Sequence, residues 1–232
     1  RTRFNYQTAI LGLFNFARDF KYLPPGEHSA DILNKGKIKA RKGVEEIGLW
    51  DVDQFRQMLH ESLNMRSVGT NIKKVTLMVA IGGFAGLRVA EVARLHWEHI
   101  LWNTDYIKVL AKDSKMKKVH RKVPISPALK SWIELAVKDA REDELTGSIF
   151  KCAVSYVTDR ITELCKNRLR FEYVDNGLRH TCISSWVAMG HGQHQAAFWA
   201  GNSSSTVESN YLGEITKEEG EAWHLIMPPT DK

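Results

Sequence analysis

The sequence has few cysteines and no apolar run long enough to cross a membrane. Its three cysteines, Cys152, Cys165 and Cys182, contain no C-x-x-C pair and cannot form an even disulfide framework. This pattern favours a reducing, intracellular compartment, because disulfides persist in oxidising ones. A membrane-spanning helix needs about 20 apolar residues, and the sequence contains neither such a run nor a signal peptide. We therefore expect a cytoplasmic protein with no membrane partner.

The sequence also lacks the patterns of a metal site and of a nucleotide-binding loop, and it has no initiating methionine. His191 and His194 are three residues apart, but Gly192 lies between them and no third ligand of a suitable type is nearby. No glycine-rich phosphate-binding loop is found. We therefore expect no metal and no other cofactor. Because the chain begins at Arg1, we expect it to be a fragment of a longer protein.

Basic residues, in contrast, are abundant and clustered. The 232 residues include 33 Lys and Arg against 27 Asp and Glu, a net charge of +6. This balance fits either a merely basic protein or one with a polyanionic partner. The distribution says more than the total, because residues 107–122 hold seven basic side chains and a single acid, Asp113. A second basic segment, residues 34–43, is either a solvated loop or a linker that lies against a phosphate backbone.

Apolar periodicity predicts a mainly helical protein with one small sheet. A first helix ends before Pro24 and Pro25, which cannot continue it. Three strand-like segments separated by turn residues predict a three-stranded antiparallel sheet. Asp51 or Asp53 is placed to cap the second helix. The predicted helices lie at 4–20, 51–63, 71–84, from 88 onwards, and at 127–140, 153–168, 178–189, 193–200, 203–211 and 216–225; the predicted strands lie at 99–102, 106–110 and 119–125.

Three short motifs follow one another after residue 84. The first reads A-G-L-R-V-A-E-V-A-R-L-H-W, the second reads L-R-H-T, and the third is Gly-Asn followed nine residues later by a tyrosine. In this order, with a lysine-rich hairpin between the first two, they resemble the catalytic domain of the tyrosine recombinases of the phage integrase family. The resemblance covers about residues 47–227. It depends on Arg88, Glu91, Arg179, His180, Gly201, Asn202 and Tyr211.

The resemblance implies a fold class, a domain organisation and partners. The fold is mainly α (α+β), a helical catalytic domain at residues 47–232 with a small three-stranded antiparallel sheet. Residues 1–33 would be the C-terminal part of a helical core-binding domain, and residues 34–46 a basic linker. The implied partner is double-stranded DNA, bound by a homotetramer on two DNA sites in the nucleoid of a prokaryotic or phage system. The apolar segment 222–227 would either cap its own core or dock on a neighbouring protomer.

The implied reaction is site-specific recombination, in which DNA strands are cleaved and rejoined. Tyr211 would attack a phosphodiester and form a 3′-phosphotyrosine. Arg88 and Arg179 would stabilise the negative charge that develops on the phosphate oxygens, since a guanidinium is always charged and binds two oxygens at once. Glu91, one helical turn after Arg88, would orient its guanidinium. The covalent link retains the phosphoester energy and the arginines replace a metal ion, so neither ATP nor a metal is implied.

The lysine-rich segment supplies two candidates for protonating the leaving oxygen, a role that a hairpin lysine has in this family. Lys115 lies near the turn and is preferred, while Lys112 is the alternative if the extra hairpin residues lie beyond it. The other basic residues, among them Lys122, are either phosphate-backbone contacts or solvated charge. The residues assigned to DNA binding are Lys37, Lys39, Arg41, Lys112, Lys117, Lys118 and Arg121.

The chain departs from the family pattern at two positions: Asn176, where histidine is usual, and Asn202, where histidine or tryptophan is usual. An asparagine donates a hydrogen bond to a phosphate oxygen but does not titrate near neutral pH. Both are kept as catalytic candidates, while His180 either assists the reaction or packs behind the site. Two alternatives remain open: a strand transferase that relaxes DNA or resolves hairpins with the same site, and a catalytically silent DNA-binding accessory protein derived from a recombinase.

Overall fold

The computed structural model describes residues 2–23, 47–111, 120–211 and 214–229. The chain divides into two compact units, Arg1–Glu46 and Ile47–Lys232. In the first unit, helix α1 (Thr2–Asp19) confirms the first predicted helix. Several of its apolar side chains are exposed, including Leu13 and Phe16. The predicted linker residues Lys37, Lys39 and Arg41 lie outside the described residues.

The second unit is mainly helical, as predicted. None of the helices that the structure describes is long and apolar enough to cross a membrane. Its helices are α2 (Val52–Ser62), α3 (Lys74–Ala85), α4 (Val89–Ala93), α5 (Pro127–Val137), α6 (Val154–Glu163), α7 (Gly177–Ala188), α8 (Gln193–Ala200), α9 (Ser204–Tyr211) and α10 (Lys217–His224), and its strands are β1 (Ile100–Leu101), β2 (Tyr106–Val109) and β3 (Arg121–Pro124).

Helix α3 is the centre of the core. Every residue from Val75 to Ala85 is buried, which is the pattern of a helix enclosed on all sides. Helices α2, α5 and α7 pack around it. Gly83 allows close approach, since a Cβ at this position would lie 2.3 Å from the ring of Phe55 on α2. Asp51 caps α2 by accepting a hydrogen bond from the Gln54 amide at 2.7 Å, so of the two capping candidates the first is correct.

The C-terminal segment packs on the core of its own chain. Trp223 is 1% exposed, stacks on Phe55 with 3.9 Å between ring centroids and donates from Nε1 to the Gly83 carbonyl at 2.7 Å. Ile226 is buried, and its carbonyl accepts a hydrogen bond from Trp132 Nε1 at 2.8 Å. Trp223 and Ile226 therefore cap the core of their own chain, as the first alternative for residues 222–227 predicts, while Leu225 and Met227 are exposed. Trp223 and Ile226 are not available to a neighbouring protomer in this conformation.

The three strands form one antiparallel sheet in the order β1-β2-β3, as predicted. Ile107 pairs with Ile100 on one side and with Val123 on the other, so the buried positions of the three strands are in register. Strand β1 is only two residues long because a 3₁₀ turn, Trp97–His99, occupies the start of the predicted strand. The segment between β2 and β3 with Lys112, Lys115, Lys117 and Lys118 lies outside the described residues.

Candidate active site

Arg88 and Arg179 are far apart in sequence but lie side by side in the fold. Gly86, with φ +57°, ends α3 in the left-handed conformation and turns the chain towards α4, which starts after Arg88. Arg179 lies in the first turn of α7 and donates from Nη1 to the Gly86 carbonyl. The turn after α3 therefore positions both guanidinium groups, one through the backbone and one through a hydrogen bond.

Three arginines converge on the C-terminal end of α8. Arg88 Nη2 donates to the Gly201 carbonyl at 2.8 Å, Arg179 Nη2 to the Ala200 carbonyl at 2.7 Å, and Arg121 Nε to the Trp199 carbonyl at 2.8 Å. The last carbonyls of a helix have no partner within the helix and form the negative end of its dipole, so they suit cations. The end of α8 thus holds a set of side chains that repel one another.

Gly201 makes this arrangement possible. It closes α8 with φ +63°, a conformation that side chains rarely adopt. A Cβ there would lie 3.0 Å from Arg121 Nη1. The glycine of the third sequence motif is therefore required both by the backbone turn and by the guanidinium packed against it.

Glu91 is the buried carboxylate of this group. It accepts from both terminal nitrogens of Arg121, at 3.0 and 2.8 Å, and from Arg88 Nη1 at 3.1 Å. Burial alone would raise the pKa of Glu91, but the hydrogen bonds and charges of Arg121 and Arg88 outweigh it and lower that pKa. The predicted contact between Glu91 and Arg88 is present. The bidentate contact of Glu91 is with Arg121, whose two terminal nitrogens each donate to one carboxylate oxygen.

The structure corrects the assignment of Arg121 to DNA binding. Its side chain is 4% exposed, and its guanidinium is bound to Glu91 and to the Trp199 carbonyl. A phosphate could reach it only by displacing these partners. The assignment to DNA binding was based on the run of basic residues in which Arg121 lies. The alternation of β3 separates it from its neighbour, because Arg121 is buried while Lys122 is exposed.

Asn202 links the two catalytic arginine candidates. Its Oδ1 accepts from Arg88 Nη2 at 2.6 Å and from Arg179 Nη2 at 3.2 Å. The amide oxygen therefore accepts hydrogen bonds from both guanidinium groups, as an oxygen of a bound phosphate would. We refer to Arg88, Arg121, Arg179, Glu91 and Asn202 together as the arginine cluster.

The arginine cluster carries an excess of positive charge. It combines three guanidinium groups with one carboxylate. Arg179 is 6% exposed, and burial together with the charge of Arg88 lowers its pKa to about 10. Arg179 is still charged at neutral pH. A partly buried cluster with this excess is an anion site, since a bound anion would relieve the mutual repulsion of the arginines.

Tyr211 reaches the arginine cluster from the last turn of α9. Its side chain is buried, and its Oη lies 3.0 Å from Nδ1 of His180. Burial raises the pKa of Tyr211, while the charges of Arg179 and Arg88 and a hydrogen bond with Asn202 act in the opposite direction. His180 is half-buried, and burial and the charge of Arg179 lower its pKa. The structure therefore brings Arg88, Arg179, Asn202, His180 and Tyr211 together.

Asn176 is not part of this group. Its side chain is exposed and donates from Nδ2 to Asp175 Oδ2 at 3.0 Å. Its φ of +55° gives a local reason for the residue, because asparagine adopts the left-handed conformation more readily than most side chains. The lysine candidates Lys112 and Lys115 lie outside the described residues.

A surface groove beside the arginine cluster was not foreseen from the sequence. It is lined by Tyr106, Lys108, Lys122 and Phe198, among others, and Arg121 and Trp199 form its inner wall. Lys108 and Lys122 are paired directly across β2 and β3. Like charges in that position repel each other unless an anion lies between or above them. Phe198 is 49% exposed, so the groove is both basic and aromatic.

No metal ligands are grouped in the part of the chain that the structure describes: no three His, Cys, Asp or Glu side chains there are arranged to hold an ion. The chain matches the family model described as "Phage integrase family" over residues 50–214, more than half of its length. A search of the curated proteins finds no matching sequence.

Several solved structures have a similar fold. The XerA recombinase is 18% identical, with a TM-score of 0.55 over 72% of this chain and 61% of that one. A lambda integrase fragment in a dimer bound to a COC′ core site is 11% identical, with a TM-score of 0.61 over 90% of this chain and 73% of that one. The Tn1549 transposon integrase, in complex with circular intermediate DNA, is 15% identical, with a TM-score of 0.62 over 94% and 76%. At these identities the likeness concerns the fold, and the chain spans less than two thirds of the XerA recombinase.

Proposed function

This chain belongs to the phage integrase family, and we propose that it is a site-specific DNA recombinase that cleaves and rejoins strands through a 3′-phosphotyrosine. The observation that carries the proposal is the position of Tyr211. Its hydroxyl lies in a site with the buried Arg179 and the partly buried Arg88, although the three side chains come from different parts of the sequence. A nucleophile beside an anion site is the arrangement that attack on a phosphodiester requires.

In the proposed reaction, a phosphate oxygen takes the place of Asn202 Oδ1 between Arg88 and Arg179. The two N–H groups that now donate to the amide would then donate to the phosphate, while the carbonyls of Ala200 and Gly201 keep both guanidinium groups in place. Because these donors are already fixed, little reorganisation accompanies the attack. The displaced amide of Asn202 would remain close to Tyr211 and to the phosphate.

The 5′ oxygen that leaves requires a proton. Lys115, with Lys112 as the alternative, is the proposed donor from the segment between β2 and β3. The arginine cluster supplies the positive charge that a metal ion would otherwise contribute, and the phosphotyrosine conserves the energy of the broken bond. The proposal therefore includes independence of metal ions and of ATP.

Double-stranded DNA is the proposed partner. The groove with Lys108 and Lys122 leads away from the arginine cluster and offers a path for the phosphate backbone. Exposed Phe198 would contact sugars or bases at the groove wall. Two similar integrases have structures with DNA, one of them a dimer. A homotetramer on two DNA sites is the proposed working assembly.

One observation favours a second candidate, a DNA-binding protein that no longer cleaves. Asn202 occupies the space between the two arginines with its own oxygen, and Asn176 is exposed and hydrogen-bonded to Asp175. If the amide is not displaced, the protein would bind DNA at the groove without activating a phosphate. The two candidates differ in whether a covalent protein–DNA adduct forms.

A nicked suicide substrate tests the proposal. Cleavage beside the nick releases a short fragment, so the covalent 3′ adduct accumulates and can be counted on a denaturing gel. We expect an adduct with the unaltered protein and none with Tyr211→Phe, which removes only the hydroxyl. Tyr156→Phe is the matched control, because Tyr156 is a half-exposed tyrosine of α6. An undiminished adduct in Tyr211→Phe would reject the nucleophile, and no adduct at all would favour the silent binder.

A further inference from the structure

The hydrogen bond between His180 and Tyr211 joins an imidazole to the atom that is proposed to attack DNA. Nδ1 of His180 lies 3.0 Å from Tyr211 Oη, and the two rings are 5.6 Å apart and tilted by 30°. Helices α7 and α9, which carry the two residues, pack against each other. The contact therefore depends on the packing of two helices, which gives it a fixed geometry.

The other partners of Tyr211 cannot accept its proton. Arg88 and Arg179 are cations that only donate hydrogen bonds. The amide of Asn202 does not titrate near neutral pH, and Asn176 faces Asp175 and solvent. Within the described ranges, His180 is the titratable side chain that is hydrogen-bonded to the Tyr211 hydroxyl. An imidazole at this distance meets the geometric requirement for a general base.

We propose that His180 is the general base that takes the proton from Tyr211 as its oxygen attacks the scissile phosphate. The inference rests on the proposed function and assigns a step within it. It also gives a reason why asparagine is tolerated at 176 and 202: the imidazole that this chain needs lies at position 180, directly on the nucleophile.

The proposed step conserves atoms and charge. The O–H bond of Tyr211 breaks and its proton moves to His180 Nδ1, while Oη forms a bond to phosphorus. The bond between phosphorus and the 5′ oxygen breaks, its electron pair stays on that oxygen, and the hairpin lysine supplies the proton. In rejoining, a 5′ hydroxyl attacks the phosphotyrosine and passes its proton to the hairpin lysine. The bond between phosphorus and Tyr211 Oη breaks, and the imidazolium returns its proton to that oxygen. No oxidant, reductant or further reactant takes part.

The surroundings of His180 keep its ring neutral before the reaction. Burial lowers its pKa, Arg179 beside it acts in the same direction, and Asp175 opposes them. A neutral ring with its hydrogen on Nε2 has a free electron pair on Nδ1 to accept the tyrosine proton. The imidazolium formed next to Arg179 is compensated by the negative charge of the bound phosphate.

The charged groups that act on His180 are Arg179 and Asp175. His224 of α10 is hydrogen-bonded to Ser185, further along α7. His194 of α8 is hydrogen-bonded to Ser204, and Lys74 at the start of α3 donates to the Phe150 carbonyl. The pH dependence of cleavage should therefore follow His180. Below its pKa, which lies under the usual 6.5, the ring is protonated and the rate should fall as pH falls.

The main test measures single-turnover adduct formation on the nicked substrate with two variants. His180→Gln keeps a side chain that can hydrogen-bond to Tyr211 but cannot take its proton. His180→Ala opens a space that free imidazole can fill. We expect both variants to form the adduct at least about 100-fold more slowly at equal DNA occupancy. Both should also lose the decline in rate at acid pH. Added imidazole should restore part of the rate of His180→Ala. His194→Gln is the control and should react at the rate of the unaltered protein. His194 is exposed, and it is hydrogen-bonded to Ser204 at the start of the helix that carries Tyr211.

Each other result counts against the base. A His180→Gln variant that reacts at the unaltered rate would show that His180 only positions Tyr211. A slow His180→Ala variant that imidazole does not restore, with an unchanged pH profile, would lead to the same conclusion. In both cases the adduct still forms in the unaltered protein, so the proposed function stands. If the unaltered protein forms no adduct, the proposed function fails and the base role fails with it.

A second measurement does not depend on DNA cleavage. Nitrogen NMR of histidine in the DNA-free protein distinguishes a ring nitrogen that carries hydrogen from one that accepts a hydrogen bond. We expect the His180 hydrogen on Nε2, and we expect Tyr211→Phe to shift the Nδ1 resonance. A hydrogen on Nδ1 would overturn the proposal, because the imidazole would then be donating to Tyr211 instead of accepting from it.

Discussion

The core around α3 is fully buried and the arginine cluster is largely buried, but the two are held together in opposite ways. In the core, apolar surfaces pack without charges: Phe55 is stacked on Trp223, and helix α3 beside them is enclosed on every side. In the cluster, like charges are held together by the carbonyls at the end of α8 and by Glu91. Stability in the first region comes from removing surface from water. In the second, repulsion is retained, and it provides a binding site for an anion.

This difference predicts that substitutions in the two regions will affect different measurements. A core residue should change the free energy of unfolding and leave the chemistry of the folded protein intact. An arginine that faces the anion site should do the reverse. A substitution of Glu91 should change both measurements, because Glu91 neutralises the buried Arg121 and also holds Arg88, which would bind the phosphate.

Arg88→Ala should have the largest effect on chemistry. Removal of its guanidinium takes away donors to the transition state, so adduct formation should fall about 1000-fold or more, equivalent to about 4 kcal/mol. Nonspecific, salt-dependent DNA binding should be largely kept. Arg56→Ala is the control, since Arg56 is exposed and paired with Asp53. If DNA binding and cleavage fell by the same factor, Arg88 would act as a general DNA-binding charge and not as part of an anion site for the transition state.

Trp223→Ala should have the largest effect on stability. The buried indole is stacked on Phe55 and bonded to the Gly83 carbonyl, so we expect a loss of about 3 to 5 kcal/mol in the free energy of unfolding. Urea denaturation followed by circular dichroism measures it. Trp102→Ala, at a 39% exposed position, should change far less. At low temperature the folded fraction should still form the adduct at an unchanged rate, and a specific catalytic defect there would contradict the separation of the two regions.

Glu91→Gln should affect both regions' measurements at once. It leaves Arg121 buried without its carboxylate, for which we expect a loss of about 3 kcal/mol in unfolding free energy. Adduct formation should fall as well, because Arg88 loses its partner. Glu98→Gln is the control, since Glu98 is exposed and accepts a hydrogen bond from the Gly147 amide. A variant that is destabilised but fully active would mean that Glu91 serves only Arg121.

A pH titration of stability tests the core region separately. Burial, with a smaller contribution from His191, lowers the pKa of His224 to about 4, and its Nε2 is hydrogen-bonded to Ser185. Because the folded pKa lies below the unfolded value near 6.5, stability from this residue is complete above pH 6.5 and is lost as pH falls towards 4. The loss should be at most about 3 kcal/mol.

Urea midpoints of the unaltered protein and of His224→Gln measure this loss. The variant should show a flatter decline between pH 6.5 and 4 than the unaltered protein. An identical decline in both would assign the acid sensitivity to other groups, with the paired carboxylate of Glu91 as the next candidate.

Local patterns were enough to predict most elements. The all-apolar helix before Gly86 and the alternating strands both depend on interactions between residues close in sequence, which local periodicity records. The motif order identified Arg88, Arg179 and Tyr211, and the structure brings these three together. The mistakes occurred where a side chain's environment depends on distant residues. The basic run around Arg121 predicted an exposed DNA-binding residue, because its partners Glu91 and Trp199 lie 30 and 78 residues away in sequence.

The sequence by itself determined the family, the helical fold class and the identity of the candidate nucleophile and arginines, because these follow from residue types in a fixed order. Only the tertiary structure decided which charges face an anion and which are neutralised. It separated Arg121 from the DNA-binding set, directed Asn176 to solvent and Asn202 to the arginines, and placed His180 on Tyr211. The physical reason is that hydrogen bonding and burial depend on elements packed across many residues of sequence, here α8 against β3 and α7.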